Sequence, residues 1–211
     1  MLKANFITAQ EAAEKIQDGS TLCTIGMTLV SASESILKAI EKRFETVGHP
    51  ADITLVHSCG QSDRKDGIQH LAHEGLVKRI VGSHWGLQPR WMEMIANSQV
   101  EAYCLPQGQI AQLYRSMACG LPGKMSKVGL GTFIDPRVEG GKMNDRTKPL
   151  PDIVDILEYG GEEYMFYKEI PLDTVLIRGT VCDEMGNLTT TEEAMKLEVL
   201  PAVLAAKRYG G

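Results

Sequence analysis

Over residues 1–120, short apolar runs alternate with segments whose apolar residues recur at helical spacing. The runs predict strands at 21–25, 53–56, 77–81 and 100–105. The spacing predicts helices at 33–44, 89–96 and 110–118, the first of these ended by Pro50. A capping box at Thr8–Glu11 predicts an earlier helix that stops by Gly19. Strands and helices in alternation favour an α/β fold with an open, mainly parallel sheet and helices on both faces.

The composition and the hydrophobic pattern of the sequence change after Gly131. Residues 135–151 are rich in Gly, Pro, Asp and Lys and are typical of a long functional loop. The segments 154–157, 163–167 and 174–181 alternate or run apolar, which predicts antiparallel additions to the sheet. Gly186–Asn187 predicts a tight turn. A last helix is predicted over 192–208, with Pro201 as an interruption.

A chain of 211 residues can build one large domain with a substantial core. The net charge of −5 argues against a nucleic-acid partner, although a local site can still bind an anion. No apolar run reaches 18 residues, so no membrane-spanning helix is expected. Five scattered cysteines favour reduced thiols and therefore a cytoplasmic location.

His70 and His73 are the candidate metal ligands of the chain. Their spacing of three residues would place both imidazoles on one face of a helix. The sequence sets no cysteine or carboxylate cluster beside them except Glu74, and solvated or capping histidines are commoner. No metal site is therefore expected.

Pro106-Gln107-Gly108 closes the apolar run 100–105 and opens the next helical pattern. An amide side chain at such a turn presents a donor and an acceptor at the carboxyl end of a strand, where open α/β sheets bind ligands. Gly129 and Gly131, with Gly140–Gly141, leave room for a ligand or a strand to approach closely. Serving turns or a bulge is the alternative role for these glycines.

Several short motifs, taken in their order and spacing, resemble the first half of a family I coenzyme A transferase. The similarity covers nearly the whole chain and is closest to the long single-chain type of the acetate/propionate/acetoacetate group. The motifs are 41–44 (EKRF), 73–76 (HEGL), 106–108 (PQG), 129–137 (GLGTFIDPR), 140–142 (GGK) and 177–180 (IRGT) followed by 183–187 (DEMGN).

The resemblance implies a CoA-transferase/ribose-5-phosphate isomerase-like fold and a covalent mechanism on a glutamate. It places that glutamate in a carboxy-terminal half, so residues 1–211 would be the amino-terminal domain, inactive alone. The implied substrates are an acyl-CoA and a short-chain carboxylate, in short-chain fatty acid or ketone body metabolism. Coenzyme A would be a substrate and no cofactor would be bound permanently. A homo-oligomer is expected, with neither nucleic acid nor membrane as a partner.

The resemblance also assigns roles to residues. Gln107 matches the glutamine that faces the catalytic glutamate and orients it; capping the following helix is the alternative role. Gly26, Met27 and Gly60 match the loops near the acyl substrate. Gly108, Gly129, Gly131 and Thr132 complete the substrate-binding set, Thr132 through its hydroxyl. Apolar surface exposed around Gly26, Gly60 and Gln107 is expected if a second half is missing.

The chain departs from the family at the first of these loops. Met27, Leu29 and Ser33 stand where the family commonly has Phe after the first Gly, a later Gly and a Pro. Because methionine is flexible, the acyl pocket can differ in size, and the acid that it takes stays open.

Two other classes of function remain open. The same fold occurs in sugar-phosphate isomerases and in ligand-sensing domains, and fold does not fix function. The chain shows no compact set of Asp, Glu and Lys for an isomerase. A third possibility is a non-catalytic assembly partner.

Overall fold

The computed structural model describes residues 3–211, which fold into strands, α-helices and one 3-10 helix at Gly67–Leu71. The strands are β1 (Thr21–Thr24), β2 (Ile53–His57), β3 (Val77–Gly82), β4 (Glu101–Cys104), β5 (Gly123–Ser126), β6 (Val154–Tyr159), β7 (Glu162–Lys168), β8 (Thr174–Leu176), β9 (Val181–Cys182) and β10 (Leu188–Thr189). The helices are α1 (Ala9–Glu14), α2 (Glu34–Val47), α3 (Pro89–Ala96), α4 (Gln107–Ala118) and α5 (Val199–Arg208).

The central sheet has five strands in the order β4–β3–β2–β1–β8. Every neighbouring pair is parallel, so the predicted α/β sheet is confirmed. From β1 the chain steps outward to β4 and then returns to the free side of β1. All five strands therefore present their carboxyl ends at one edge of the sheet.

Alternate residues of each strand face two separate apolar cores. Leu22 of β1 points to the core that α1, α2 and α3 cover, together with Leu55 and Ile80 of the next strands. Cys23 points to the second core, which α4, α5 and the antiparallel sheet cover. Burial on both faces explains why these strands read as continuous apolar runs.

A three-stranded antiparallel sheet, β5–β7–β6, packs on the second core. The long loop 127–153 precedes β6 and returns to the central sheet, where Lys142 forms an antiparallel bridge with Tyr103. The Gly141 carbonyl accepts a hydrogen bond from the Cys104 N–H at 2.7 Å, and the Met143 N–H donates to the Ala102 carbonyl at 3.0 Å. The segment 141–143 thus covers the open edge of β4, which would otherwise expose unpaired backbone groups.

Three predicted elements differ in the structure. The segment predicted at 174–181 as antiparallel supplies β8, which pairs with β1 in parallel. The long excursion between β4 and β8 gives the chain the crossover that a parallel strand requires. Gly48, at φ 75°, ends α2 before Pro50. The last helix begins only at Val199, which places Pro201 in its first turn, where a missing N–H costs nothing.

The capping box is confirmed, since the Thr8 hydroxyl accepts from the Glu11 N–H at 3.2 Å while the Glu11 carboxylate accepts from the Thr8 N–H. Its helix ends at Glu14, ahead of Gly19. The hairpin β9–β10 turns through Gly186–Asn187 as predicted. Among residues 3–211, no helix combines the length and apolar character that crossing a bilayer requires.

Candidate functional site

Two adjacent loops leave the carboxyl ends of β1 and β2, and we name them the Gly26 loop (residues 26–32) and the Gly60 loop (residues 58–61). The Thr28 N–H donates to the Gly60 carbonyl at 2.9 Å, and the Gln61 side-chain amide donates to the Thr24 carbonyl at 2.8 Å. These bonds join the loops directly, so the structure brings the predicted residues Gly26, Met27 and Gly60 together.

Both loops pack closely around their glycines. A Cβ on Gly26 would lie 3.2 Å from Gln61 Oε1 and from the Val30 carbonyl. A Cβ on Gly60 would lie 2.7 Å from the ring of His84. Real Cβ atoms essentially never accept the second distance, so Gly60 serves loop packing whether or not it also contacts a ligand.

The expected exposure of these loops is wrong in part. Gly26 and Gly60 are buried, and the segment before α5 is bonded to a serine of each loop. The Ser31 hydroxyl donates to the Met195 carbonyl at 3.1 Å, and the Ser58 hydroxyl donates to Glu198 at 3.0 Å. The chain therefore covers the carboxyl ends of β1 and β2 with its own residues, while Met27 remains half-buried.

A buried histidine supports the Gly60 loop from below. His57 donates from Nδ1 to the Cys59 carbonyl at 2.8 Å, and its Nε2 accepts from the Trp85 indole at 3.2 Å. Complete burial lowers the pKa of His57 to about 4, so the imidazole is neutral near pH 7. A Cβ on Gly82 would overlap the ring. No local pattern indicates this arrangement, since its members come from separate segments.

Gln107 is the first residue of α4 and is exposed at the carboxyl end of β4. The capping alternative is wrong, because Pro106 occupies the N-cap position and α4 has no side-chain cap. Within residues 3–211 the Gln107 amide has no hydrogen-bond partner. A Cβ on Gly108 would meet nothing within 4 Å. An unengaged amide beside open space can meet a group that approaches from outside the chain.

The structure does not bring Gln107 and the Gly26 loop together directly. Three inter-strand spacings of about 4.8 Å separate β1 from the edge strand β4, or roughly 14 Å in all. Both lie on the carboxyl edge of the same sheet. A substrate that contacts both must therefore extend along that edge.

Asp135 organises the loop that carries Gly131. Its buried carboxylate accepts from the Gly131 N–H at 2.9 Å and from the Arg137 guanidinium at 2.8 Å. The Arg137 side chain lowers the pKa of the Asp135 carboxyl, and the Gly131 N–H lowers it further. Gly131 has φ 69° with no neighbour near its Cβ position, so a left-handed turn explains the residue.

Thr132 and Gly129 also have structural roles in this loop. The Thr132 hydroxyl donates to the Gly129 carbonyl at 2.8 Å and accepts from the Ile134 N–H at 3.3 Å. Gly129 has φ 100°, and a Cβ there would lie 2.6 Å from the Tyr167 hydroxyl. The hydroxyl of Thr132 is engaged within a turn. Its contact with a substrate stays a prediction.

The histidine pair has neighbours that the sequence did not indicate. Glu41 of α2 contacts both His70 and His73, and Glu34 and Asp66 contact His70 as well. The expectation that carboxylates other than Glu74 are absent beside these histidines is therefore wrong. The two glutamates of α2 precede the histidines by 29 to 36 positions and meet them because the 3-10 helix packs on α2, which no local pattern records.

An apolar groove of about 830 Å³ lies beside α5, and we call it the α4–α5 groove. Its walls come from α4, from the hairpin β9–β10 and from α5 with the segment before it. Leu200 is 67% exposed there, and Leu204 and Leu188 are also exposed. Exposed apolar patches of this kind usually mark interaction sites. The apolar surface predicted at the loop edge thus lies instead beside α5.

Comparison with protein families matches residues 6–208 to the family model described as coenzyme A transferase. The chain is 43% identical over 209 residues to a caffeate CoA-transferase of Acetobacterium woodii, covering 99% of this chain and 40% of that protein. It is 25% identical over 204 residues to the alpha subunit of an acetate CoA-transferase of Escherichia coli K12, covering 83% of that subunit.

The fold superposes on an acyl-CoA transferase, YdiF, of Escherichia coli O157:H7. The apoenzyme gives a TM-score of 0.95 at 35% identity and covers 99% of this chain and 41% of that one. The same enzyme solved as a thioester complex with CoA gives 0.94 at 36% identity, over 97% and 40% of the two chains. The chain spans about two fifths of the length of these longer relatives.

Proposed function

This chain belongs to the coenzyme A transferase family, and we propose that it is the amino-terminal half of an acyl-CoA:carboxylate CoA-transferase. Such an enzyme moves CoA between short-chain acids. The greater likeness to the longer relatives than to the separate alpha subunit favours the single-chain type. Activity then depends on a carboxy-terminal half that carries the nucleophile.

The proposed reaction passes through a glutamyl-CoA thioester. A glutamate carboxylate of the second half attacks the acyl-CoA carbonyl and expels CoA as a thiolate, which leaves a mixed anhydride of the donor acid and the glutamate. The thiolate attacks the glutamyl carbonyl and releases the donor acid. The acceptor carboxylate then attacks the glutamyl thioester and expels the CoA thiolate, which leaves a second mixed anhydride. The thiolate attacks the acceptor's acyl carbonyl in this anhydride, which forms the new acyl-CoA and frees the glutamate carboxylate. Covalent catalysis divides one difficult exchange into easier steps. The related YdiF enzyme, solved as a thioester complex with CoA, supports this route.

The observation that carries the proposal is the free amide of Gln107 at the sheet's carboxyl edge. An amide that caps no helix and has no partner among the described residues is available to a carboxylate from the second half. Such a donor orients the attacking carboxylate and stabilises charge on the developing oxyanion. The open space at Gly108 leaves room for that approach.

The acyl group is proposed to lie toward Met27, the half-buried residue of the Gly26 loop. Gly26 and Gly60 act there through the shape of the two loops, since both are buried. A flexible thioether adapts to acids of different width, so the pocket can accept more than one acid. This residue is the position at which substrate range is expected to change first.

The α4–α5 groove is the proposed contact surface for the second half, because residues 3–211 leave its leucine side chains exposed. The complete enzyme is expected to form a homo-oligomer in the cytoplasm. Five free thiols, two of them exposed, suit a reducing compartment. Short-chain fatty acid or ketone body metabolism is where such a transferase acts.

The test is to locate the thioester in the full-length natural protein. Incubation with an acyl-CoA and no acceptor acid should leave one CoA bound covalently, and peptide mapping should place it on a glutamate outside residues 1–211. Sodium borohydride should reduce the adduct and abolish activity. A CoA adduct on a glutamate of this chain, or turnover without any adduct, would refute the proposal. Isomerisation of a pentose phosphate would favour the alternative class.

A further inference from the structure

His70 lies in a cluster of charges on the opposite side of the sheet from the α4–α5 groove. Its Nδ1 faces Glu41 Oε2, and its Nε2 lies 2.8 Å from Glu34 Oε1 and 3.3 Å from Asp66 Oδ1. Both ring nitrogens thus face carboxylate oxygens, which only accept hydrogen bonds. A neutral imidazole has one N–H, so only the imidazolium satisfies both sides.

The remaining charged groups around His70 complete the cluster. Lys38 of α2 lies 3.0 Å from Glu34 and 3.2 Å from Asp66. Glu41 also meets His73 Nε2 at 2.9 Å and Arg90 of α3 at 3.4 Å. Glu45 lies near His73 on the next turn of α2. Glu34, Glu41 and Asp66 therefore surround His70, which is 12% exposed and is the cation among these three carboxylates.

The segment that His70 anchors leads directly to the two loops of the candidate site. The Gly67 N–H donates to Glu34 Oε2 at 2.9 Å, and the Ile68 N–H donates to the Gln61 carbonyl at 2.8 Å. Gln61 in turn binds the Thr24 carbonyl at the end of β1, next to the Gly26 loop. A continuous path of hydrogen bonds thus runs from α2 through the 3-10 helix to both loops.

We propose that the His70 imidazolium is a positioning residue that fixes the 3-10 helix on α2 and thereby holds the Gly60 loop against the Gly26 loop. Loss of its proton leaves one carboxylate facing a lone pair, which loosens this contact. Its importance for substrate binding rests on the proposed function of the two loops. The positioning itself does not, and it is measured without catalysis.

The direction of the pH effect follows from the surroundings. Burial opposes the charged form of His70, but hydrogen bonds to Glu41 and Glu34 outweigh it and raise the pKa above its ordinary value of 6.5. A raised folded pKa gives stability that is fully present below pH 6.5 and is lost as the pH rises through the folded value. The loops are therefore tightest in mildly acidic solution.

Hydrogen exchange on the 211-residue chain tests the proposal. The amides of Ile68 and Thr28 report the two ends of the path, the latter through its 2.9 Å bond to the Gly60 carbonyl. In His70→Gln at pH 6, both should exchange about tenfold faster or more, the scale of a charged hydrogen bond. His49→Gln is the matched control, because His49 pairs with Asp18 at 2.9 Å on the exposed far end of the sheet. It should change neither amide.

Glu41→Gln gives a second test if His70→Gln fails to fold. NMR of the His70 ring nitrogens should show an imidazolium at pH 6 in the wild type and a lower titration midpoint in this variant. Protection of the Thr28 amide, corrected for intrinsic exchange, should fall over the same pH range as the ring titrates. A neutral His70 at pH 6 would overturn the proposal. So would a Thr28 amide whose protection stays constant while the His70 ring titrates. Neither outcome bears on where the CoA thioester forms.

Discussion

Gln107 is exposed at the start of α4 and does not cap that helix. A cap would place its side chain on the backbone of α4, yet the N-cap is Pro106 and the amide is exposed and free. A free polar group on the surface contributes little to folding. Its proposed role is therefore toward a group that approaches the sheet edge.

In the full-length enzyme, Gln107→Ala should lower turnover by about 10²–10³, the usual loss for one positioned donor, with a smaller change in KM. The free energy of unfolding should change by less than about 0.5 kcal/mol. Gln109→Ala, two residues further along α4, is the matched control for helix propensity and should keep turnover. Steady-state kinetics and denaturant unfolding on each variant measure both quantities. A Gln107→Ala enzyme of normal turnover would remove the residue from the site.

The buried His57 should make the free energy of unfolding depend on pH in acid. Burial sets its folded pKa at about 4, below the ordinary 6.5. A lowered pKa gives stability that is present above pH 6.5 and is lost as the pH falls toward 4, by roughly 3 kcal/mol. Unfolding free energies of wild type and His57→Gln, measured between pH 7 and 4.5, should converge as the pH falls. A constant difference would mean that His57 does not titrate in this range.

At the scale of elements, the loop 129–141 depends on one buried carboxylate. Asp135 accepts hydrogen bonds from the Gly131 N–H, the Arg137 N–H and the Arg137 guanidinium. The same loop reaches the edge of β4 through Gly141. Order in the loop and cover for β4 are therefore linked.

Asp135→Ala should destabilise the domain by about 1.5–3 kcal/mol, because the Gly131 N–H, the Arg137 N–H and the Arg137 guanidinium lose their shared charged acceptor. Asp145→Ala is the matched control, since Asp145 forms an exposed pair with Lys148 within the longer loop 127–153 and should contribute nothing measurable. Thermal or denaturant unfolding of the two variants gives the comparison. Equal stability in both would show that the loop is ordered by its other contacts.

The sequence predicted those elements whose signal is local. Strands β1 to β4 read as apolar runs, and α3 begins at its Pro89. It missed β5, where Met125 is the single large apolar residue and is exposed, because that strand forms through pairing with β7. The direction of β8 is set by its partner β1, which lies near the other end of the chain.

In the candidate site, too, the sequence predicted the residues whose signal is local. Gly26, Gly60 and Gln107 lie at strand ends, as the pattern and the resemblance indicated. His57 with Trp85, and His70 with Glu41, join residues from different elements and carry no periodic signal. Turn chemistry was also ambiguous from sequence alone: Gly131 and Thr132 matched a motif, while the structure uses them within their own loop.

At the scale of the whole molecule, the burial is asymmetric. One core is closed by α1, α2 and α3, while the side of α5 that faces away from the second core stays open to the α4–α5 groove. Leu200 contributes an exposed side chain there that its own chain does not use. Apolar surface that the domain leaves open is surface that a further domain can bury.

Leu200→Glu tests whether the α4–α5 groove contacts the second half. In the isolated 211-residue chain it should change the free energy of unfolding by less than about 0.5 kcal/mol, because the side chain is already exposed. In the full-length enzyme it should place a charge in a buried contact, lowering the melting temperature and the activity together. Met92→Glu on α3 is the control, because Met92 is 52% exposed. It should change neither the stability of the two proteins nor the activity of the full-length enzyme. If Leu200→Glu leaves the full-length enzyme unchanged while the isolated chain shifts from a dimer to a monomer in sedimentation, the groove binds a second copy instead of the second half.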